Sequence, residues 1–386
     1  NQDYLLRHGG KIVCNAPIKA ITSGISYNRI SKKPNRKFKE PIIKEKNDYN
    51  EAALKILSHP NVASKARCYA HYDKNVQGNS IIEPGQADAG LAKATQNSRH
   101  GIALAVDHNP RYSKIDPYLG AANAVAESMR NVAAIGAIPS ALTDCLNFGN
   151  PEKPEVFFDF RESVRGIKDA AEKICYYKTK YPVPIISGNV SFYNESKSGK
   201  AIDPSPVIAC IGVMKDYSKA IDMKLKKAGS SLLLIGNRKD ELGGSVYYDI
   251  NNELGANVPK IDFNEQKNMI YGIIDSIQTG LLLSCHDISD GGMLVTLAEM
   301  ILGGNADGKI GAEINFNYPH LRNDKILFSE SAGFVMEVED KNLKKAASIF
   351  KKYRLIAHKL GKTTNDKQLT ITNNGKKIID LAIKDM

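Results

Sequence analysis

The chain has 386 residues, 42% hydrophobic and 25% charged, with a formal net charge of +11. That length suits two domains of ordinary size, each with its own core, and the composition is that of a soluble globular protein. No apolar run approaches the ~18 residues of a membrane span. The basic excess comes from dispersed lysines without aromatic interleaving or a recognisable nucleic-acid module, which points to anionic small substrates rather than nucleic acid.

The opening Asn1-Gln2-Asp3-Tyr4 has no Met and no basic-then-apolar leader, and reads as the continuation of something longer. Residues 1–49 read as a tail and linker. A short apolar piece at 11–14 precedes Ser31-Lys32-Lys33-Pro34-Asn35-Arg36-Lys37, which is polar, basic and broken by proline. No short repeat is visible. A first domain at 50–215 alternates helix and strand. A helix is expected over 51–58 and a strand over 101–106. Asp116-Pro117 sets a capping carboxylate before a proline at the first helical position, and the helix it starts runs to about 136. That helix carries Val125, Met129, Val132 and Ile135 on one stripe. Strands follow at 140–145, 183–186 and 206–213, with a helix at 155–175. In a second domain at 216–386 the pattern predicts strands at 231–235, 281–285, 332–338, 355–360 and 368–372. Helices are expected at 263–279, 293–302 and 342–353. The six cysteines form no CxxC pair, so a disulfide scaffold or thiolate zinc site is not expected, and a cytoplasmic location is.

Polar residues that suit chemistry fall mostly just after strands, where ligands gather in α/β folds. Thr143-Asp144-Cys145-Leu146-Asn147-Phe148-Gly149-Asn150 is expected as a loop offering a carboxylate and amides to a nucleobase, ribose or metal. A capped turn before the next helix is the plainer reading. Ser187-Gly188-Asn189-Val190-Ser191 is expected as a second loop, with Gly188 admitting close backbone approach and Asn189 and Ser191 projecting together. Its plainer reading is a Gly-Asn turn. Asp107-His108-Asn109-Pro110-Arg111-Tyr112, with Asp116, brings together a carboxylate, an imidazole and a plausible phosphate clamp in Arg111. His286-Asp287-Ile288-Ser289-Asp290-Gly291-Gly292 precedes a helix and suits capping or the shaping of an interdomain cleft. Gly243-Gly244-Ser245 offers backbone N–H groups to phosphate. Gly361-Lys362-Thr363 is not a Walker A loop, because the first glycine of that motif would fall at Ile356.

Taken in order, residues 107–112, 116–131, 143–155, 187–195, 203–212, 286–292 and 329–333 resemble the synthetase subunits of the phosphoribosylformylglycinamidine synthase family. These belong to the wider aminoimidazole ribonucleotide (AIR) synthetase-like superfamily. The resemblance implies an A domain, a mixed sheet with flanking helices, followed by a B domain, an α/β sandwich. It implies that this is the second of two tandem halves, with residues 1 to about 25 closing a preceding B domain. It assigns Asp144 and Gly188 to ATP, Asn189 to Mg2+ and Ser191 to a formylglycinamide ribonucleotide substrate. Asp107, Arg111, Asp116, His286 and Asp287 would line a second, pseudo-symmetric nucleotide pocket.

The implied reaction is ATP-dependent conversion of an amide to an amidine in purine biosynthesis, with ammonia from a glutaminase subunit and a small accessory subunit as further partner. The catalytic His and main phosphate ligands of the family's first half have no counterpart here. No catalytic residue is therefore assigned, and the chain is expected to be inactive without that N-terminal half. Two alternatives stand beside this: a noncatalytic nucleotide-bound scaffold that docks partner subunits, and a self-sufficient synthetase of the superfamily.

Overall fold

A computed structural model describes residues 3–24, 26–303, 308–318 and 320–386. The chain opens with a hairpin, β1 (Asp3–His8) and β2 (Lys11–Pro17), and a short helix α1 (Ile18–Ser23). Residues 26–49 then run without helix or strand, yet they are tied down along their length. The Lys32 N–H donates to Pro154 O, Arg36 forks onto the Asp159 carboxylate at 3.1 and 2.6 Å, and Arg322 donates to Ile43 O. The stretch read from sequence as a linker is a docked strap.

After α2 (Asn50–Leu57) and α3 (Ala66–Tyr69) come β3 (Ser80–Ile82), β4 (Gly90–Lys93), β5 (Gly101–Asp107), α4 (Pro110–Ile115), α5 (Pro117–Ala134), β6 (Ile138–Asn147), α6 (Pro154–Ile174), β7 (Ile185–Ser191) and β8 (Ser205–Met214). Their strands form one sheet in the order β3-β4-β5-β8-β6-β7, antiparallel except for the parallel β6/β7 pair. Asp116 caps α5 as its sequence predicts, accepting from the Leu119 N–H at 2.9 Å. Val125, Met129, Val132 and Ile135 are all buried against one face of the sheet. The second layer, α6, lies directly on α5, because Gly166 lets the backbones touch: a Cβ there would sit 2.3 Å from Tyr118 O. The opposite face of the sheet is open. Ile102, Leu104, Val106 and Val213 stand on it 41–60% exposed, and toward β6 and β7 it turns polar with Thr143, Ser187 and Asn189.

The second unit contains β9 (Ser231–Ile235), α7 (Val246–Asp249), α8 (Phe263–Gln278), β10 (Ser284–Asp287), α9 (Gly292–Leu302), β11 (Gly311–Phe316), α10 (Asn323–Phe328), β12 (Phe334–Val338), α11 (Leu343–Lys352), β13 (His358–Thr364), β14 (Gln368–Asn373) and β15 (Lys376–Ala382). The sheet order is β10-β12-β9-β13-β11-β14-β15. Helices cover both faces. Leu232 and Leu234 of β9 enter a core with α9 and α10, whereas Leu233 and Ile235 enter one with α8 and α11. That double burial explains why β9 reads as an unbroken apolar run. Helix α8 serves both units: Ile270 and Ile274 join the first core, and Met269, Ile273 and Ile277 join the second. Helix α2, grouped by sequence with the first domain, buries Ala52, Ala53 and Ile56 in the core of the second.

The sequence reading missed β11 and β15, and it missed a repeat. Setting Asp3 on Gln368 without gaps aligns Gly10-Lys11 with Gly375-Lys376 and Ile18-Lys19 with Ile383-Lys384. Hairpins β1–β2 and β14–β15 then share every register pair. Asp3↔Pro17 falls on Gln368↔Ala382 and His8↔Lys11 on Asn373↔Lys376, with the irregularity between Leu6/Arg7 in one and Ile371/Thr372 in the other. In the second copy Leu369, Ile371 and Ile378 are buried against β11 and the core. Their counterparts Tyr4, Leu6 and Val13 are 45–63% exposed.

Because Ile56 is fully buried in the second core, Ile56→Ala should destabilise the chain by about 2–5 kcal/mol. Urea unfolding checks this, and a loss below about 0.5 kcal/mol would show that α2 is a peripheral attachment.

Candidate functional site

The two motifs expected as loops are for the most part strand. Residues 143–147 end β6 and 187–191 make up most of β7, the outermost strand of its sheet, and only 148–150 turn away. The β6/β7 register sets Asp144 opposite Gly188, Cys145 opposite Asn189 and Asn147 opposite Ser191. Since side chains alternate along a strand, this splits the motif between two faces. Asp144 lies on the same side as the core residues Leu142 and Leu146, while Asn189 and Ser191 lie on the open face.

Gly188 is required by Asp144: a Cβ at 188 would come within 2.6 Å of both carboxylate oxygens. No described residue hydrogen-bonds or pairs with that carboxylate, and partial burial alone lifts its pKa above the ordinary Asp value. An unpartnered, half-buried carboxylate over a glycine, at the free margin of a sheet, is an acceptor held ready for a donor. Ser191 is fixed by Asn194, whose side-chain amide donates to Phe148 O at 3.0 Å and to Ser191 O at 2.9 Å.

A second constellation fills the seam between the sheets. Asp107 ends β5, Glu127, Arg130 and Asn131 stand on α5, and His286 and Asp287 end β10. Asp88 and Asp290 come from neighbouring loops. Arg130, only 1% exposed, reaches Asp287 at 3.3 Å, Glu127 at 3.4 Å and Gln266 Oε1 at 3.1 Å. One guanidinium cannot balance these acids. Burial pushes Asp107 up to about 7, where it shares a hydrogen bond with Glu127, and pushes Asp287 and Asp290 up to about 6. Burial also lifts Glu127 well above the carboxylate range. At His286 burial alone would favour the neutral ring. The flanking Asp88 and Glu299 carboxylates override it and hold the imidazole protonated well above its ordinary pKa.

Sequence models place this arrangement. The description "AIR synthase related protein, N-terminal domain" matches residues 86–214, and "AIR synthase related protein, C-terminal domain" matches 227–373. The chain belongs to this family. It is 50% identical over 380 residues to the phosphoribosylformylglycinamidine synthase subunit PurL of Methanothrix thermoacetophila, covering 98% of this chain and 49% of that protein. Among solved structures, "T. maritima PurL complexed with FGAR" superposes at TM-score 0.68 with 18% identity, covering 86% of this chain and 52% of that one. "T. maritima PurL complexed with ATP" superposes at TM-score 0.65 with 19% identity, covering 86% and 51%. At that identity the structural likeness is one of fold. The chain spans about half the length of the curated relatives it matches.

Within this AIR synthase fold, Asp107, His286 and Asp287 come together in the seam. Arg111 and Asp116 are occupied elsewhere. The Arg111 guanidinium is spent on Gly244 O, Asp249 and Glu253 O, and Asp116 is the cap of α5. The N–H groups of Gly243, Gly244 and Ser245 are likewise taken, by Asn257 O, Leu254 O and Leu242 O, which leaves no phosphate cradle there. Burial pushes the His108 pKa down to about 4, so its ring is neutral.

Sequence reasoning did not single out Asp88, Glu127, Arg130 or Asn131. The available signal was a charged pair three apart, Glu127 and Arg130, inside an alanine-rich helix. Oxygen ligands dominate the seam and suit a hard divalent cation. Ligand atoms of Asp88, His286 and Asp287 lie within 4.8 Å of one another, but both His286 ring nitrogens are engaged by Asp88 and Glu299, so the carboxylate oxygens are the donors available to an ion. Asn131 Oδ1 is buried without a hydrogen bond beside Asp107. The donor set fits such an ion.

The raised carboxyls fix the sign of a pH effect. A group whose pKa rises on folding stabilises the fold at low pH and loses that contribution as pH climbs through its folded value. Metal-free protein should therefore lose thermal stability between about pH 4 and 7, from the ordinary Asp value up to the folded values of Asp287, Asp290 and Asp107. A millimolar divalent cation should restore more of it at the upper end. Thermal unfolding with and without Mg2+ tests this, and an equal Mg2+ shift at both ends would refute it.

Proposed function

We propose that this chain supplies one wall of the active site of an ATP-dependent amidine-forming ligase of purine biosynthesis, acting on formylglycinamide ribonucleotide. The observation that carries the proposal is the unpartnered Asp144 carboxylate over Gly188, one residue from Asn189 and three from Ser191 on the free strand β7. PurL relatives at high coverage of this chain support the reaction class, and a PurL structure holding ATP supports the co-substrate.

In this reading Asp144 accepts a hydrogen bond from the base or ribose of ATP, and the bare Gly188 backbone lets the nucleotide lie against the strand. The Asn189 side-chain oxygen offers a single ligand to Mg2+, which ordinarily keeps only one or two protein groups beside phosphate and water. Bound there, the ion would neutralise charge on the phosphates. Ser191 orients the ribonucleotide amide. ATP phosphorylates the amide oxygen, ammonia adds to the activated carbon, and phosphate leaves with that oxygen. Fixed donors around the transferred group stabilise its charge.

We infer that the chain is the second of two halves. Its N-terminal hairpin repeats the register of the one that closes the second sheet, as the last strands of a preceding domain of that type would. The exposed apolar face of Ile102, Leu104, Val106 and Val213 supports a second A-type sheet as the other wall. A glutaminase subunit delivering ammonia and a small accessory subunit complete the proposed assembly.

The scaffold reading draws on the seam, whose surplus carboxylates suit a metal–nucleotide complex held for structure. Titrating Mg-ATP separates the two. Asp144→Ala should weaken ATP binding about tenfold or more while leaving the fold intact. Loss of binding with Asp107→Ala alone, Asp144→Ala being silent, would replace the ligase-wall reading with the scaffold.

A further inference from the structure

Beyond β7 the chain reverses through a turn whose geometry is set by one unusual residue. Tyr193 has φ +61°, a left-handed conformation that residues other than Gly, Asn and Asp rarely adopt. Its N–H donates to Gly149 O at 3.0 Å and its hydroxyl to Glu152 at 3.2 Å, which holds the turn against the end of β6. The outcome is to swing Asn194 back onto Phe148 and Ser191.

Every polar atom of Asn194 then has a partner. Its backbone N–H donates to Phe148 O at 3.1 Å, and its carbonyl accepts from the Ile202 N–H at 3.1 Å. The side-chain nitrogen faces two backbone carbonyls, Phe148 O at 3.0 Å and Ser191 O at 2.9 Å. A carbonyl can only accept, so the amide orientation is fixed and both of its protons are used. The same nitrogen lies 3.1 Å from Ser191 Oγ, but a third proton for that contact does not exist. What remains is Asn194 Oδ1, an acceptor 3.2 Å from Ser191 Oγ. Among the described residues, Asn194 Oδ1 is the acceptor placed to receive the Ser191 hydroxyl proton.

We propose that Asn194 is a positioning residue that makes Ser191 a hydrogen-bond acceptor toward its ligand, so that the group Ser191 contacts is an N–H or O–H donor. This rests on the reading of Ser191 as a substrate contact. With its proton committed, Ser191 presents only lone pairs outward. A phosphate at neutral pH and an amide oxygen are acceptors and are turned away. The amide N–H or a ribose hydroxyl of a ribonucleotide is taken, and the amide oxygen is left pointing elsewhere, free to receive a phosphoryl group.

Two measurements decide it. Neutron diffraction from the deuterated chain should place the Ser191 deuteron on the line to Asn194 Oδ1. A deuteron directed to the open face would overturn the proposal without reference to any ligand. Calorimetric titration of the full chain with formylglycinamide ribonucleotide, and separately with Mg-ATP, gives the second readout. Asn194→Ala should weaken the ribonucleotide about tenfold and leave Mg-ATP within about twofold, because Asp144 and Gly188 are untouched. Parallel losses for both ligands would mean a merely structural residue. A ribonucleotide analogue lacking the amide N–H should lose the same factor if that group is the donor, and one lacking the ribose hydroxyls should lose it if they are. Wild-type chain that takes Mg-ATP but no ribonucleotide would count against the substrate assignment of Ser191, and the deuteron position would still decide the role of Asn194.

Discussion

The guanidinium of Arg130 is the constraint around which both sheets are arranged. It is buried to 1% exposure and holds partners on three elements: Glu127 on its own helix, Gln266 on α8 and Asp287 at the end of β10. A buried cation is costly unless it is paired, and with its Nε lacking an acceptor among the described residues Arg130 depends on these contacts, so the two units cannot slide without stranding it. α8 reinforces the same relation with apolar contacts to both cores. The seam is rigid for reasons of charge as well as packing. The acids it leaves over give it an appetite for cations.

That economy separates the two constellations. The seam is buried, crowded and short of positive charge. The β6/β7 margin is open, and its carboxylate lacks a partner among the described residues. One constellation is enclosed between the sheets and the other lies at a sheet margin, even though both stand at the ends of strands in a single chain.

Much of this was legible in the residues. The proline and capping aspartate at 116–117, the helical stripe from Val125 to Ile135 and the unbroken apolar run of β9 each followed from local rules. The two polar motifs at 143–150 and 187–191 stood out, but their conformation was misread. Asn, Gly and Ser at 187–191 have turn composition, yet parallel pairing with β6 holds them extended. Arg111 looked free because its partners Asp249 and Glu253 lie far along the chain. The charged pair Glu127 and Arg130 was hidden for the opposite reason: it sits inside an alanine-rich helix that reads as plain core. The repeated hairpin escaped notice because register, which sequence does not display, carries it better than residue identity does.

The division of the motif between two faces of an outermost strand has a consequence for molecular shape. Asp144 and Asn189 are neighbours across the β6/β7 ladder, yet their side chains leave it in opposite directions. A molecule that satisfies both must bend around the rim of the sheet, with its middle crossing bare backbone at Gly188. Flat, stiff compounds can reach one or the other. A jointed molecule can reach both, so on the proposed reading of these residues the rim would select by suppleness before chemistry.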